Sequence, residues 1–457
     1  MPHWRHSMQN EKEKRKEEAL KLLTQKATDV HLTYGQIADK TGFSKRQIIR
    51  WAEQLKEKDM SSILTHGNTG RKPVTTASDQ EISYMENFKK TYPVITIAQF
   101  RDFYREDILF SGDPQKQADV QRFGLKDRSK SWFRQLYMHE GWKSPAEKPV
   151  RSDGSREAHP IRAPRDHRGE LVQIDGTPYD WFGDGRTYCL HLAVDDAGTE
   201  VLAGWFMPTE CTRGYAHMTK LIFDKWGIPL AFYSDKDSVF RSVKNGAPSQ
   251  FARMIMKLDI KMIFANSSQA KGRVERYNGT AQNRLPNDII RWNHNHPDQP
   301  IKDYDTLNDW FNAYYIRYLN AKFSFPVKDP HDAFKELPPD YDPSKIFRGE
   351  FSRTVNNNSF SLGNVLYSAF NENGELLKFS QKSKVNVYID ALTGEVYMER
   401  YGKHYTCMKI GERKRDPVYV AETEKDIQRY LSELEDSNYK LVRNGKELSK
   451  GDKIKKS

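Results

Sequence analysis

The chain has 457 residues, enough for about three domains of ordinary size and for more than one hydrophobic core. Lys plus Arg number 73 against 62 Asp plus Glu, a formal net charge of +11, so the sign favours a polyanionic partner over an acidic substrate. The aromatic content of 12% argues against a basic disordered tail, and the three scattered cysteines (Cys189, Cys211 and Cys407, with no CxxC pair) argue against a disulfide framework or a structural zinc site.

The chain opens on MPHWRHSMQNEKEKRKEEA, which has no apolar signal-peptide core, and no run of about 18 apolar residues follows anywhere. A reducing cytoplasm and no membrane partner are therefore expected. Residues 1–64 read as a helical domain. Within it, Leu32 to Lys58 predicts helix, tight turn, helix: Ile37 and Ala38 face inward, Gly42 makes the turn, and Ser44 caps the second helix. Ile48, Ile49, Trp51 and Leu55 form that helix's inward stripe, while Lys45, Arg46, Gln47 and Arg50 face outward near its start. That is the layout of a helix-turn-helix presenting polar residues to a major groove. Residues 65–77 are a basic linker whose Arg71 and Lys72 are candidates for a minor-groove arm.

Residues 78–145 predict a second helical domain, with helices over Asp79 to Thr91, Thr96 to Tyr104 and Ser129 to Trp142. Ser129 caps the last of these, Trp132, Phe133, Leu136 and Tyr137 are its apolar face, and Lys130 and Arg134 project outward as a second pair of candidate DNA contacts. A basic linker, 146–168, leads into strand signals. ELVQIDGTPYDWF, TYCLHLAVDD and EVLAGWFMP are apolar, β-rich runs, and helices then alternate with the strands LAFYSD and KMIFAN. The order β-β-β-α-β-α-β-α over 169–330 predicts a mixed five-stranded sheet covered by helices. Residues 345–411 hold short strands separated by Asn-rich and Gly turns, as in a small β-barrel. Its candidate DNA or subunit contacts are Arg348, Arg353, Lys378, Lys382 and Lys384. Residues 412–457 are a charged tail with one expected helix, Glu424 to Leu434.

Three acids stand where this order brings strand ends together: Asp175 in the first core strand, Asp235 at the end of the fourth, and Glu275 on the helix after the fifth. In-line displacement at phosphorus needs an activated oxygen nucleophile and a stabilised leaving oxygen, and two Mg²⁺ ions about 3.5–4 Å apart supply both. Mg²⁺ prefers carboxylate oxygen, so Asp175, Asp235 and Glu275 are the expected metal ligands and catalytic residues. Asp180, Asp184, Asp195, Asp196 and Asp237 are expected to be surface or turn residues. On the helix carrying Glu275, Val274, Tyr277 and Ala281 form an inward stripe, and Lys271, Arg273, Arg276 and Arg284 lie on other faces as candidate phosphate contacts.

The segments IDG, YSDKD and QAKGRVERYNGTAQNRL resemble the catalytic core of DDE transposases and retroviral-type integrases, most closely a bacterial insertion-sequence transposase of the ISNCY type, related to the phage Mu transposase. The resemblance spans about Ile37 to Ile410. It implies an RNase H-like fold for the core within a multidomain chain, helix-turn-helix modules at its start and a small β-barrel at its end. It also implies two Mg²⁺ ions per active site, with Mn²⁺ able to substitute, and a homo-oligomer, a dimer at least, on DNA. The activity it implies is binding of terminal inverted repeats, nicking at the 3′ ends and joining to target DNA in a bacterial, nucleoid-associated cytoplasmic setting. Retroviral integrases begin with a His/Cys zinc module; here the N-terminal region has no cysteine. The rival readings are a DNA-binding regulator without catalysis and a nuclease that cuts without joining.

Overall fold

Thr33 opens the first short helix with a capping box: its hydroxyl accepts from Gln36 N–H, and the Gln36 side chain accepts from Thr33 N–H. Gly42, at φ 72°, ends that helix in the left-handed region. Ser44 then caps the next helix by accepting from Gln47 N–H. In the computed structural model, which describes residues 3–28, 32–64, 76–145, 163–235, 240, 248–265, 272–412, 440–443 and 446–449, these are α2 (Tyr34–Thr41) and α3 (Lys45–Gln54). A longer helix precedes them (α1, His3–Thr28) and a short one follows (α4, Met60–Leu64). Ala19, Leu20, Leu23, Ile37, Ile48, Trp51 and Ile63 are buried together, with Phe43 edge-on to Trp51. The first compact unit, Met1–Ser83, contains this apolar core.

The second compact unit, Tyr84–Ser457, begins inside α5 (Asp79–Thr91). It continues through α6 (Ile97–Phe103), whose last turns widen to a π-helical stretch, Tyr104–Leu109, then α7 (Pro114–Phe123) and α8 (Lys130–His139). Aromatic side chains fill this module: Phe100 meets Phe88, Phe133, Tyr137 and Trp142 within 5.4–6.1 Å.

The core sheet is β1 (Val172–Tyr179), β2 (Tyr188–Asp195), β3 (Val201–Met207), β4 (Ala231–Ser234) and β5 (Lys261–Phe264), in the spatial order β3-β2-β1-β4-β5. The first three pair antiparallel; β4 and β5 join parallel to β1, so the sheet is mixed as expected. Alternation along β1 sends Val172 and Ile174 to one face, where they pack with Tyr215 and Ile222 of α9 (Thr212–Trp226) and Phe251 of α10 (Gln250–Met256). Leu190, Leu192 and Phe206 face the other side, under Val274 and Leu285 of α11 (Gly272–Asn295), Leu307 of α12 (Tyr304–Trp310), and Ile316 of α13 (Ile316–Phe323).

Six further strands follow: β6 (Arg348–Thr354), β7 (Phe360–Leu362), β8 (Val365–Phe370), β9 (Lys384–Asp390), β10 (Val396–Arg400) and β11 (Lys403–Glu412). They form one antiparallel sheet in the order β6-β9-β10-β11-β8-β7. The edge strands β6 and β7 are successive in the chain and meet through the Asn356–Ser359 bridge and an Arg353 Nε bond to Ser361 O, without a continuous ladder. Phe351 and Val387 of this sheet, with Phe347 just before it, share a core with α9 and α10, and Lys257 pairs with Glu350 at 2.8 Å. In the tail, Lys440–Arg443 and Lys446–Ser449 pair as a hairpin; the helix expected over 424–434 lies outside the described residues. Among the described residues no helix is long and apolar enough to cross a membrane.

Candidate active site

Alternate residues of β1 are bonded, one after another, to successive turns of α11. Gln173 Oε1 accepts from Val274 N–H at 3.2 Å, Asp175 Oδ2 from Asn278 Nδ2 at 2.8 Å, and Thr177 Oγ1 from Gln282 Nε2 at 2.7 Å. Two residues of strand advance about 6.6 Å and four residues of helix about 6 Å, so the two repeats stay in step over three rungs. The ladder fixes α11 against β1 both along its axis and in rotation. Glu275, one residue beyond the first rung, stands exposed on the first turn of that helix.

Asp235 follows β4 directly. β4 pairs parallel with β1 at Val172↔Phe232 and Gln173↔Tyr233, two residues before Asp175 and Asp235. The three expected acids therefore come from β1, from the carboxyl end of β4 and from the start of a helix keyed to β1. In open α/β sheets that end is where ligands bind.

Two residues at this place escaped the sequence reading. Asn278 donates to Asp175, while its own Oδ1 is buried with no hydrogen-bond partner among the described residues. Its signal was available: Asn278 lies three residues after Glu275, a spacing that shares a helix face. Glu210 lies across Gly176, the residue after Asp175; a Cβ at 176 would stand 2.5 Å from the Glu210 carboxyl carbon. The buried Tyr215 hydroxyl donates to Glu210 at 2.6 Å, and burial followed by this carboxylate pushes the phenol well above its usual range. Nothing local in the sequence marks that approach, which depends on three strands being adjacent.

Several expected positions are corrected. Asp195 and Asp196 are fully buried rather than surface residues, although Asp195 ends β2 and Asp196 opens the turn that follows it. Asp195 accepts from the backbone of Gly169 and Ala197, and burial raises its carboxyl to about 6 against those bonds. Asp196 accepts from Gln173 Nε2 at 2.7 Å, Arg165 N–H at 3.0 Å and Arg273 Nη1 at 2.8 Å. Arg273, expected as a phosphate contact, pairs with Asp196 and braces the start of α11 against the sheet. Arg284 is buried with Asp102 and Tyr318 and does not face solvent. Arg348 lies over Tyr388 and pairs with Glu399, and Arg353 is bonded to Ser352 O and Ser361 O.

Arg276 is exposed, as are Lys45, Arg46 and Arg50 on α3 and Lys130 and Arg134 on α8; Gln47 is half-buried. Arg71, Lys72, Lys271 and Asp237 lie outside the described residues.

Among the described residues no group of three or more His, Cys, Asp or Glu side chains is gathered as a metal cluster. The donor set still fits Mg²⁺: every ligand offered is a hard oxygen, and the unpartnered Asn278 Oδ1 beside Asp175 is an acceptor suited to a metal-bound water.

No protein-family profile matches the chain. It is 31% identical over 263 residues to the transposase for insertion sequence IS1202 of Streptococcus pneumoniae, covering 56% of this chain and 54% of that protein. It is 37% identical over 195 residues to the "Putative transposase y4bF" of Sinorhizobium fredii (strain NBRC 101917 / NGR234), covering 36% of this chain and 43% of that protein. An HTLV-2 integrase catalytic core domain solved with magnesium is 20% identical, with a TM-score of 0.26 over 36% of this chain and 97% of that one. The chain spans about half the length of the curated relatives it matches, and over that span its sequence resembles insertion-sequence transposases.

Proposed function

We propose that this chain is a DDE-type transposase that binds the terminal inverted repeats of an insertion sequence, nicks DNA at the 3′ ends and joins them to target DNA. One observation carries the reading: a three-rung polar ladder keys the helix bearing Glu275 to the strand bearing Asp175, and Asp235 directly follows the parallel neighbour of that strand. The resemblance to insertion-sequence transposases supports it, and the mixed β3-β2-β1-β4-β5 sheet is consistent with an RNase H-like core.

Asp175, Asp235 and Glu275 would hold the metal. When bound, two Mg²⁺ ions supply activation of the attacking oxygen and stabilisation of the leaving oxygen. Asn278 orients the Asp175 carboxylate. Arg276 is exposed one residue from Glu275, where a guanidinium meets a phosphate bidentately. Exposed cations on α3 and α8 read and hold the element's end, and a dimer on DNA brings two ends together. The setting is the bacterial cytoplasm.

The test is a labelled duplex carrying one inverted repeat, incubated with Mg²⁺ and a plasmid target, wild type against Asp235→Asn. Joined product from wild type alone supports the reading. Cleavage without joining makes the protein a nuclease, and binding without either product makes it a regulator.

A further inference from the structure

At one end of the C-terminal sheet, Arg400 and Lys403 close the β10–β11 hairpin through a two-residue turn, Tyr401-Gly402. Both turn residues have positive φ, 49° and 71°. That is the mirror-image turn matched to strand twist, and its preferred first residue is Asn, Asp or Gly. A bulky ring there is held against the backbone's preference. Tyr401 is also 89% exposed, the most exposed of the large hydrophobic side chains among the described residues. Neither folding nor packing calls for a tyrosine at this position.

The surroundings give it a partner. Arg400 lies between two rings, 5.3 Å from the Phe379 centroid and 5.2 Å from Tyr401. Lys384 starts β9 at the same end of the sheet, and the exposed Lys378, Lys382 and Lys403 flank this stack. Of the neighbouring acids, Glu399 is turned to Arg348 and Glu375 to Asn371, leaving Glu372 on the 371–374 turn. A projecting ring set among cations suits nucleic acid, where a base stacks on the ring and phosphates meet the charges.

We propose that the Tyr401 tip is a DNA contact that stacks an unpaired base at a DNA end. The contact rests on the transposase reading above and adds a site to it. Tyr401→Asn is the informative variant, because Asn-Gly suits this turn better than Tyr-Gly. Its melting temperature should equal or exceed wild type, so lost binding cannot come from lost folding.

The full-length protein is titrated with a blunt 30-base-pair duplex and with the same duplex carrying a five-nucleotide single-stranded overhang. Tyr401→Asn should lose about fivefold or more on the overhang probe, the factor expected for one lost stack, and less on the blunt one. Tyr401→Phe should bind both as wild type does. Lys378→Ala with Lys384→Ala should weaken both probes and lower the salt dependence by about one to two phosphate contacts. Equal affinity of wild type and Tyr401→Asn for the overhang probe overturns the contact and leaves the transposase reading standing. No binding of either probe by wild type overturns both. A change confined to the sedimentation of the DNA-free protein makes the tip a protein contact, and the proposal fails.

Discussion

The first helical module packs α1 to α4 around Ile37, Ile48 and Trp51, an apolar core drawn from its own helices. The second has an aromatic core too, but its polar side chains are completed by α11, the long helix over the five-stranded sheet. Gln99 Nε2 donates to Arg284 O at 2.8 Å, and Asn287 Nδ2 donates to Val94 O at 2.9 Å and to Gln99 Oε1 at 3.2 Å. Arg284 and Lys322 converge on Asp102, and Arg291 pairs with Glu106 and Asp107. All of these partners lie on α6, its π-helical extension or the segment before them, on one side, and on α11 or α13 on the other. A module with a self-sufficient core folds unaided; one whose buried polar groups are satisfied elsewhere is ordered only with its neighbour. On the proposed function, DNA held by α8 would be held at a fixed position relative to the helix carrying Glu275.

The largest test of that contrast is Arg284→Met. Removing one partner from a buried network leaves Asp102 with Lys322 alone and Asp288 without its strongest cationic neighbour, and costs about 3–5 kcal/mol. Hydrogen exchange should show protection lost together in 97–139 and 272–295 and kept in 34–64. Trp51→Ala, a loss of about 3–5 kcal/mol by cavity formation, should give the reverse pattern. Exchange that spreads into α11 from Trp51→Ala, or into α2 and α3 from Arg284→Met, would remove the distinction.

That contrast was not legible in the sequence. The elements were, because they rest on local signals: Ser44, Thr96 and Ser129 cap helices where a small hydroxyl precedes an apolar stripe, and the strand order emerged from alternation and turn residues. Asp175, Asp235 and Glu275 could be placed on their elements for the same reason. The errors share a cause. Arg273 and Arg284 read as cations on open helix faces, and Asp195 and Asp196 as surface or turn residues, but Arg273 is half-buried and the other three are buried by partners or backbone that the fold delivers from elsewhere. Arg284 meets Asp102 across 182 residues and Arg273 meets Asp196 across 77. Periodicity says which face a residue occupies; it does not say what covers that face.

A smaller effect sharpens the comparison through pH. Asp288, buried beside Arg284, has its carboxyl raised to about 6 by desolvation, with Arg284 and the Tyr315 hydroxyl opposing. The folded chain therefore binds this proton more tightly than the unfolded chain, whose carboxyl titrates near 3.9. The charged form burdens the fold above about pH 6, and stability from this group rises as pH falls from about 6 to about 4. His191 and His217, both lowered to about 4 by burial, work in the opposite sense over about pH 6.5 to 4. Asp288→Asn isolates the carboxylate. Between pH 7 and 4 the stability of wild type minus that of the variant should rise by about 2–3 kcal/mol in urea denaturation. A flat difference would mean that Arg284 keeps Asp288 ionised throughout, and the network would be a true ion pair at low pH.

The smallest predicted effect compares the two caps. Ser44 and Ser129 each accept from a backbone N–H at 3.2 Å, three residues on, so the local chemistry is the same. Replacing either by Ala costs about 1 kcal/mol of helix stability. In the first module that loss has nowhere to go but its own small core, so Ser44→Ala should lower the protection of α2, α3 and α4 together. In the second, α8 is held by Phe133 and Tyr137 against Phe100 of α6, and α6 is fastened to α11. Ser129→Ala should therefore fray the first turn of α8 by a similar amount while leaving exchange in α6 and α11 unchanged. Equal spreading from both caps would show that the docking adds no local support, and that α8 behaves as freely as α3.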